Sequence, residues 1–105
     1  MEERRAQART NVDWRVKFAA PGEELNIGFL GDLNAKGLSI LSNNQAYAVG
    51  TEVEVHFGAF QEDPEHRFQL RAVVRHTTGG KMGLQFLGGP VADQEKLLRM
   101  LRGKF

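Results

Sequence analysis

The sequence predicts an all-β fold, a six-stranded antiparallel barrel followed by one C-terminal α-helix. Three observations carry that expectation. Apolar and polar residues alternate with period two in several short runs, most cleanly in Glu52-Val53-Glu54-Val55-His56-Phe57. Clusters of Gly, Pro, Asn and Asp separate these runs at short intervals. Helical apolar spacing is confined to the end of the chain. A closed barrel also removes the strand edges that an open sheet of this size would present to solvent.

Each element follows from its own residues. Residues 1–11 have no hydrophobic period and are expected to form a flexible, arginine-rich N-terminal tail, leaving 12–105 as the barrel domain. From Trp14, apolar Trp14, Val16 and Phe18 alternate with Arg15, Lys17 and Ala19, the pattern of a half-buried strand. Pro21 to Glu24 reads as a turn. Leu25 to Leu33 reads as the second strand, with Gly28 and Gly31 marking a bulge or barrel corner. Gly37 to Leu41 is the third, Glu52 to Phe57 the fourth, Phe68 to Arg75 the fifth and Lys81 to Leu87 the sixth. Thr77-Thr78-Gly79-Gly80 is expected to join the last two as a hairpin. Helix 90–102 opens at Pro90, which suits the first helical position, and ends before Gly103. Its stripe of Val91, Gln94, Leu97, Leu98 and Leu101 needs a surface to cover, either the barrel mouth or a partner.

Composition narrows the function. The 105 residues suit one domain, and 41% hydrophobic content suits one core. With no cysteine, disulfides, thiolate chemistry and Cys-ligated zinc are excluded. No apolar run is long enough for a membrane span, and the charged start, Met1 to Arg9, leads into no apolar segment. No signal peptide or membrane insertion is therefore expected, and a cytoplasmic location is the default. Residues 1–17 sum to +2 and residues 93–105 to +2, while the stretch between sums to −3. Long nucleic acid usually meets a broad basic face, which this pattern lacks. His56, His66 and His76 recur at ten-residue intervals without a close pair, so no metal site is expected. Ser39 and Ser42 have no histidine placed to activate them, and Glu62, Asp63 and Glu65 read as a solvated loop. Catalysis is not expected.

Two short patterns remain. Arg4-Arg5-Ala6-Gln7-Ala8-Arg9 holds an RxxxR spacing at Arg5 and Arg9. Asp32-Leu33-Asn34-Ala35-Lys36-Gly37 is a DxNxxG turn between two strands. Arginine offers a rigid fork of donors that matches a phosphate or the O6/N7 edge of guanine. A carboxylate such as Asp32 accepts from guanine N1–H and N2–H2, a pairing adenine cannot offer. Asn34 can donate and accept in the same turn, and Gly37 permits either a positive φ or a close ligand approach.

In these residues the chain resembles the PilZ domain family, a six-stranded barrel, usually with a C-terminal helix. The family carries RxxxR near its N-terminus and [D/N]xSxxG about twenty residues later. Arg5 and Arg9 match the first motif, and Asp32 and Gly37 match the ends of the second. Arg71 to Arg75, a turn, and Met82 to Phe86 resemble the family's closing hairpin. The resemblance implies cyclic di-GMP as ligand, no cofactor, and a downstream protein partner. Arg5 and Arg9, with Arg4 beside them, would hold phosphates and guanine edges. Asp32 would read a guanine edge, Gly37 would admit the ligand, and Arg75 would stack on a base. The chain departs from the family at Asn34, which stands where the family has serine. Asparagine can keep the serine's hydrogen bond or crowd the guanine. The alternative reading is an adaptor that binds a partner protein without nucleotide.

Overall fold

A computed structural model describes residues 15–42, 47–60 and 62–102. Six strands close into a barrel: β1 (Arg15–Ala19), β2 (Asn26–Leu33), β3 (Gly37–Leu41), β4 (Glu52–Phe57), β5 (Phe68–Thr78) and β6 (Lys81–Gly88). Their order around the wall is β1-β2-β3-β6-β5-β4, every pair antiparallel. Among the described residues one α-helix, α1 (Val91–Leu101), follows. No described helix is long and apolar enough to cross a membrane.

Period-two alternation decides what fills the barrel. Val16 and Phe18 of β1, Leu38 and Ile40 of β3, and Val53, Val55 and Phe57 of β4 point inward. Leu70, Ala72 and Val74 of β5 and Met82 and Leu84 of β6 meet them in one continuous core. Phe57 stacks on Phe68 across the β4–β5 pair, with ring centroids 4.5 Å apart. Each fully buried side chain of this size contributes roughly 1.5–3 kcal/mol of burial free energy.

The strands lie where the sequence puts them, with three corrections. β5 does not stop at Arg75 but runs to Thr78. The hairpin turn is therefore Gly79-Gly80 alone, with φ of 48° and 83°. Two consecutive positive-φ glycines form a two-residue hairpin turn whose twist matches the flanking strands, so the ladder continues up to it. Pro90 lies just outside the helix at φ −58°, ψ 146°, as its N-terminal cap rather than its first residue.

The third correction concerns the helix stripe. Of its apolar members only Leu97 is buried, joined at the barrel edge by Met100. Val91 is 71% exposed, and Leu98 and Leu101 also face outward. Polar contacts set this rotation. Asp93 Oδ2 accepts from the Gln69 N–H at 2.8 Å, and Lys96 Nζ donates to the carbonyls of Pro64 and Arg67. These anchors turn the 93-97-100 face toward β5, one helical step away from the leucine stripe.

Candidate functional site

An open groove of about 790 Å3 lies on the outer wall where β2, β3, β6 and β5 meet. Asp32, Asn34, Gly37 and Arg75 all line it, with Lys36, Ser39, His76, Lys81 and Gln85. Four of the seven positions singled out in the sequence thus converge. The other three, Arg4, Arg5 and Arg9, lie outside the described residues, as does all of the expected tail 1–11.

Two β-bulges shape the groove. On β2, Leu30 pairs with Ile40 and Leu33 with Leu38, so Gly31 and Asp32 together face the single residue Ser39. On β5, Val74 pairs with Leu84 and His76 with Gly83, which leaves Arg75 as the extra residue. A bulge bends its strand and re-aims a side chain. Here one bulge carries Asp32 and the other carries Arg75.

Asp32 is held at one oxygen. Ser39 Oγ donates to its Oδ2 at 3.2 Å, and Lys81 Nζ stands 3.9 Å from the same oxygen. The Asp32 side chain remains 78% exposed, so the carboxylate keeps accepting capacity toward the groove. Asn34 folds back on its own turn. Its Oδ1 accepts the N–H groups of Lys36 at 2.8 Å and Gly37 at 3.1 Å, while its own N–H donates to the Gly37 carbonyl. This Asx turn orients the amide, since two backbone donors require the oxygen on their side. The side chain is thereby drawn into the turn, and its NH2 group is left as a donor for the groove.

Gly37 does not need a positive φ, since its backbone lies outside that region. It is required for closeness: a Cβ there would collide with the Leu84 carbonyl of β6. The tight β3–β6 contact, sealed by Phe86 N–H to Lys36 O at 2.8 Å, sets the turn at the groove rim. Arg75 is exposed, and its Nε donates to Gln85 Oε1 at 2.8 Å. That bond fixes the guanidinium over the β5–β6 pair at the groove edge.

Residues 18–92 sum to −3, yet the groove inverts this sign locally. Lys36, Arg75 and Lys81 surround the one carboxylate of Asp32. Clustered cations with a single hydrogen-bonded acid suit a small anion that also offers N–H donors. Among the described residues, no cluster of three or more His, Asp or Glu side chains is placed to hold a metal ion.

Sequence reasoning missed Ser39, Lys81 and Gln85. The sequence alone offers Ser39 only as an unactivated nucleophile and Lys81 only as the start of a strand. The register supplies the signal. Leu41 pairs with Lys81, Ser39 with Gly83 and Gly37 with Gln85, so alternate outward positions of β3 and β6 are the groove floor.

The chain belongs to the PilZ domain family, whose model matches residues 3–103. The matched span includes Arg4, Arg5 and Arg9. Among solved structures, the chain is similar to the PilZ domain of CeSA from a cellulose-synthesizing bacterium. That likeness has a TM-score of 0.65 at 18% identity, over 85% of this chain and 89% of that one. It is also similar to the Bacillus subtilis inhibitor of motility MotI/DgrA, with a TM-score of 0.59 at 21% identity. There the match covers 84% of this chain but only 45% of the other. At these identities both likenesses concern the fold. Among curated proteins none matches.

Proposed function

We propose that this PilZ domain is a receptor for cyclic di-GMP, and that it signals through a changed protein-binding surface rather than by catalysis. The observation that carries the reading is convergence. Asp32, Asn34, Gly37 and Arg75, drawn from two separate parts of the chain, line one groove with Lys36 and Lys81. The groove volume lies within the roughly 300–1,000 Å3 of small-ligand sites.

In this reading the roles divide by chemistry. Asp32 accepts from the guanine N1–H and N2–H2 groups. The Asn34 NH2 donates to a guanine or phosphate acceptor, so the asparagine replaces the family serine without closing the groove. Lys36 and Lys81 neutralise phosphate charge. Arg75, steadied by Gln85, offers its guanidinium plane to a base.

Arg4, Arg5 and Arg9 would complete the site from above. Chain arithmetic allows it. Arg15 pairs with Phe29 on β2, and Asp32 lies three residues further along that strand, roughly 10 Å at ~3.3 Å per residue. The six residues from Arg9 to Arg15 span at most ~20 Å when extended. The leader arginines therefore start within reach of the groove. Ligand binding would hold residues 1–11 across the barrel wall and alter the surface that a partner protein meets. The signal is then set by the difference in ligand affinity between the two states.

A second reading is an adaptor that binds its partner without nucleotide. Asn34 favours it, because its carbonyl oxygen is already committed to its own turn. Calorimetric titration of the full chain separates the two. The receptor reading expects saturable heat with cyclic di-GMP at micromolar concentrations, with a stoichiometry of one or two. Absence of heat at tens of micromolar nucleotide would favour the adaptor.

A further inference from the structure

We infer that Ser39 is a positioning residue, which aims the Asp32 carboxylate and so sets the preference for guanine over adenine. The inference rests on the receptor reading above for its ligand, and on the β2–β3 geometry for its mechanism.

A β-bulge has a recurring problem. The extra residue loses its place in the ladder, and its backbone N–H is left without a cross-strand carbonyl. Here the bulge consists of Gly31 and Asp32 opposite Ser39. The Asp32 N–H does not go unsatisfied: it donates to Ser39 Oγ at 2.8 Å. The same hydroxyl donates its proton to Asp32 Oδ2 at 3.2 Å. One side chain thus holds both the backbone and the carboxylate of a single residue. A hydroxyl can do this because it is donor and acceptor at once. Alanine can do neither, and lysine or arginine could only donate.

Burial supports the assignment. Ser39 is 5% exposed, although alternation on β3 places it on the outward face with Gly37 and Leu41. An outward serine is normally solvated. This one is covered because β2 folds over it at the bulge.

Gly31 makes the room. A Cβ at that position would stand 2.5 Å from Ser39 Oγ, too close for any real contact. The glycine in β2 is thus a notch for the serine hydroxyl, and the Gly31-Asp32/Ser39 trio works as one unit.

The consequence is directional. Ser39 and Lys81 both engage Oδ2, which limits rotation of the carboxylate about its last torsion. A carboxylate fixed in advance can meet the two parallel donors of guanine without losing freedom on binding. One that rotates freely also accepts from a single adenine amino group. Ser39 therefore acts on selectivity more than on total affinity, which the cations supply to either nucleotide.

The test uses the full chain and four variants: Ser39→Ala, Ser39→Thr, Gly31→Ala and the double variant Gly31→Ala/Ser39→Ala. The first readout needs no ligand. Hydrogen exchange of the Asp32 amide, followed by NMR, should quicken at least fivefold in Ser39→Ala and in Gly31→Ala, and return toward wild type in Ser39→Thr. The second readout is the ratio of cyclic di-GMP to cyclic di-AMP affinity. It should fall about tenfold in Ser39→Ala, recover in Ser39→Thr, and fall no further in the double variant than in either single one. Unchanged Asp32 exchange in Ser39→Ala would overturn the inference. So would a parallel loss of both nucleotides with the ratio intact, which a merely structural serine would give. Should the wild-type chain bind neither nucleotide, the receptor reading fails by itself, and the Asp32 exchange comparison still decides whether the Ser39 hydroxyl holds the Asp32 backbone at the bulge. If Ser39→Ala does not fold, Gly31→Ala supplies both readouts, because it displaces the hydroxyl without removing it.

Discussion

Two polar clusters sit on this barrel, one around Tyr47 and one around Asp32, and their hydrogen bonds go to different places. The Tyr47 hydroxyl donates to Glu23 Oε1 at 2.8 Å and accepts from the Ala20 N–H at 3.2 Å, with Asn26 Nδ2 at 3.5 Å. Its ring is buried and meets Phe18 edge to face. Donors and acceptors there are spent on one another. In the groove, Ser39 and Asn34 also satisfy backbone groups, but Asp32, Lys36, Arg75 and Lys81 stay exposed and hold charge toward solvent. The lesson is about location of capacity: a polar cluster that closes on itself stabilises the fold, and one that keeps open acceptors and cations around a pocket is placed to bind.

That contrast can be broken by variants that separate binding from stability. The largest effect is expected at Asp32. Asp32→Ala should weaken cyclic di-GMP binding about thirtyfold, the loss of a charge-assisted hydrogen bond of ~2 kcal/mol, and lower the melting temperature less than Tyr47→Phe does, since it takes one acceptor from Ser39 and Lys81. Calorimetry beside a thermal melt checks both halves. Next are the leader arginines. Arg5→Ala and Arg9→Ala should each cost tenfold or more, ~1.4 kcal/mol, with no change in melting temperature. If affinity is untouched in both, the site has been drawn in the wrong place.

The Tyr47 cluster should behave in the opposite way. Tyr47→Phe removes a hydroxyl that is hydrogen-bonded to three groups, and is expected to cost about 1 kcal/mol and to lower the melting temperature by ~4–8 °C. Nucleotide affinity should stay within twofold. The same residue gives a pH signature. Burial raises the Tyr47 pKa above the ordinary 10.0, with Glu23 adding to the rise and the Ala20 N–H partly opposing it. A raised folded-state pKa means that the unfolded chain releases the phenol proton first. The Tyr47 contribution to stability is therefore intact below pH 10.0 and falls as pH climbs toward the folded-state value. Tyr47 is the only tyrosine of the chain, so phenolate absorbance reads it directly. A midpoint at or below the unfolded value would contradict the burial account.

The smallest effect is expected at Asn34. Asn34→Ser should preserve or slightly improve binding, within about threefold, because serine can close the same turn more weakly. A large gain would mean that the asparagine amide obstructs the groove after all.

Much of this was legible in the sequence, and the omissions have two causes. β4 could be read residue by residue because its alternation is uninterrupted and both faces differ sharply in polarity. Asp32 and Gly37 stood out because a turn between strands limits what can occupy it. Ser39 did not, because its role depends on the count of residues on β2 against those on β3. A bulge is a property of a pair of strands, and periodicity within either one cannot reveal it. Arg75 was placed at a strand end for the same reason: β5 continues past its bulge to Thr78. The helix shows a different limit. Leu98 and Leu101 fit an inward stripe by spacing, but Asp93 and Lys96 fix the rotation through contacts with β5 and the 64–67 turn, which no local pattern encodes.

The claim on which the receptor reading turns is that the leader arginines close over the Asp32 groove when nucleotide binds. The chain has no cysteine, so Ala35→Cys at the groove rim accepts a single spin label without competing sites. Addition of cyclic di-GMP should then broaden the amide signals of residues 4–9 strongly, and cyclic di-AMP should do so far less. Leader signals that stay sharp at saturating cyclic di-GMP would contradict the account and leave the barrel without its proposed clamp.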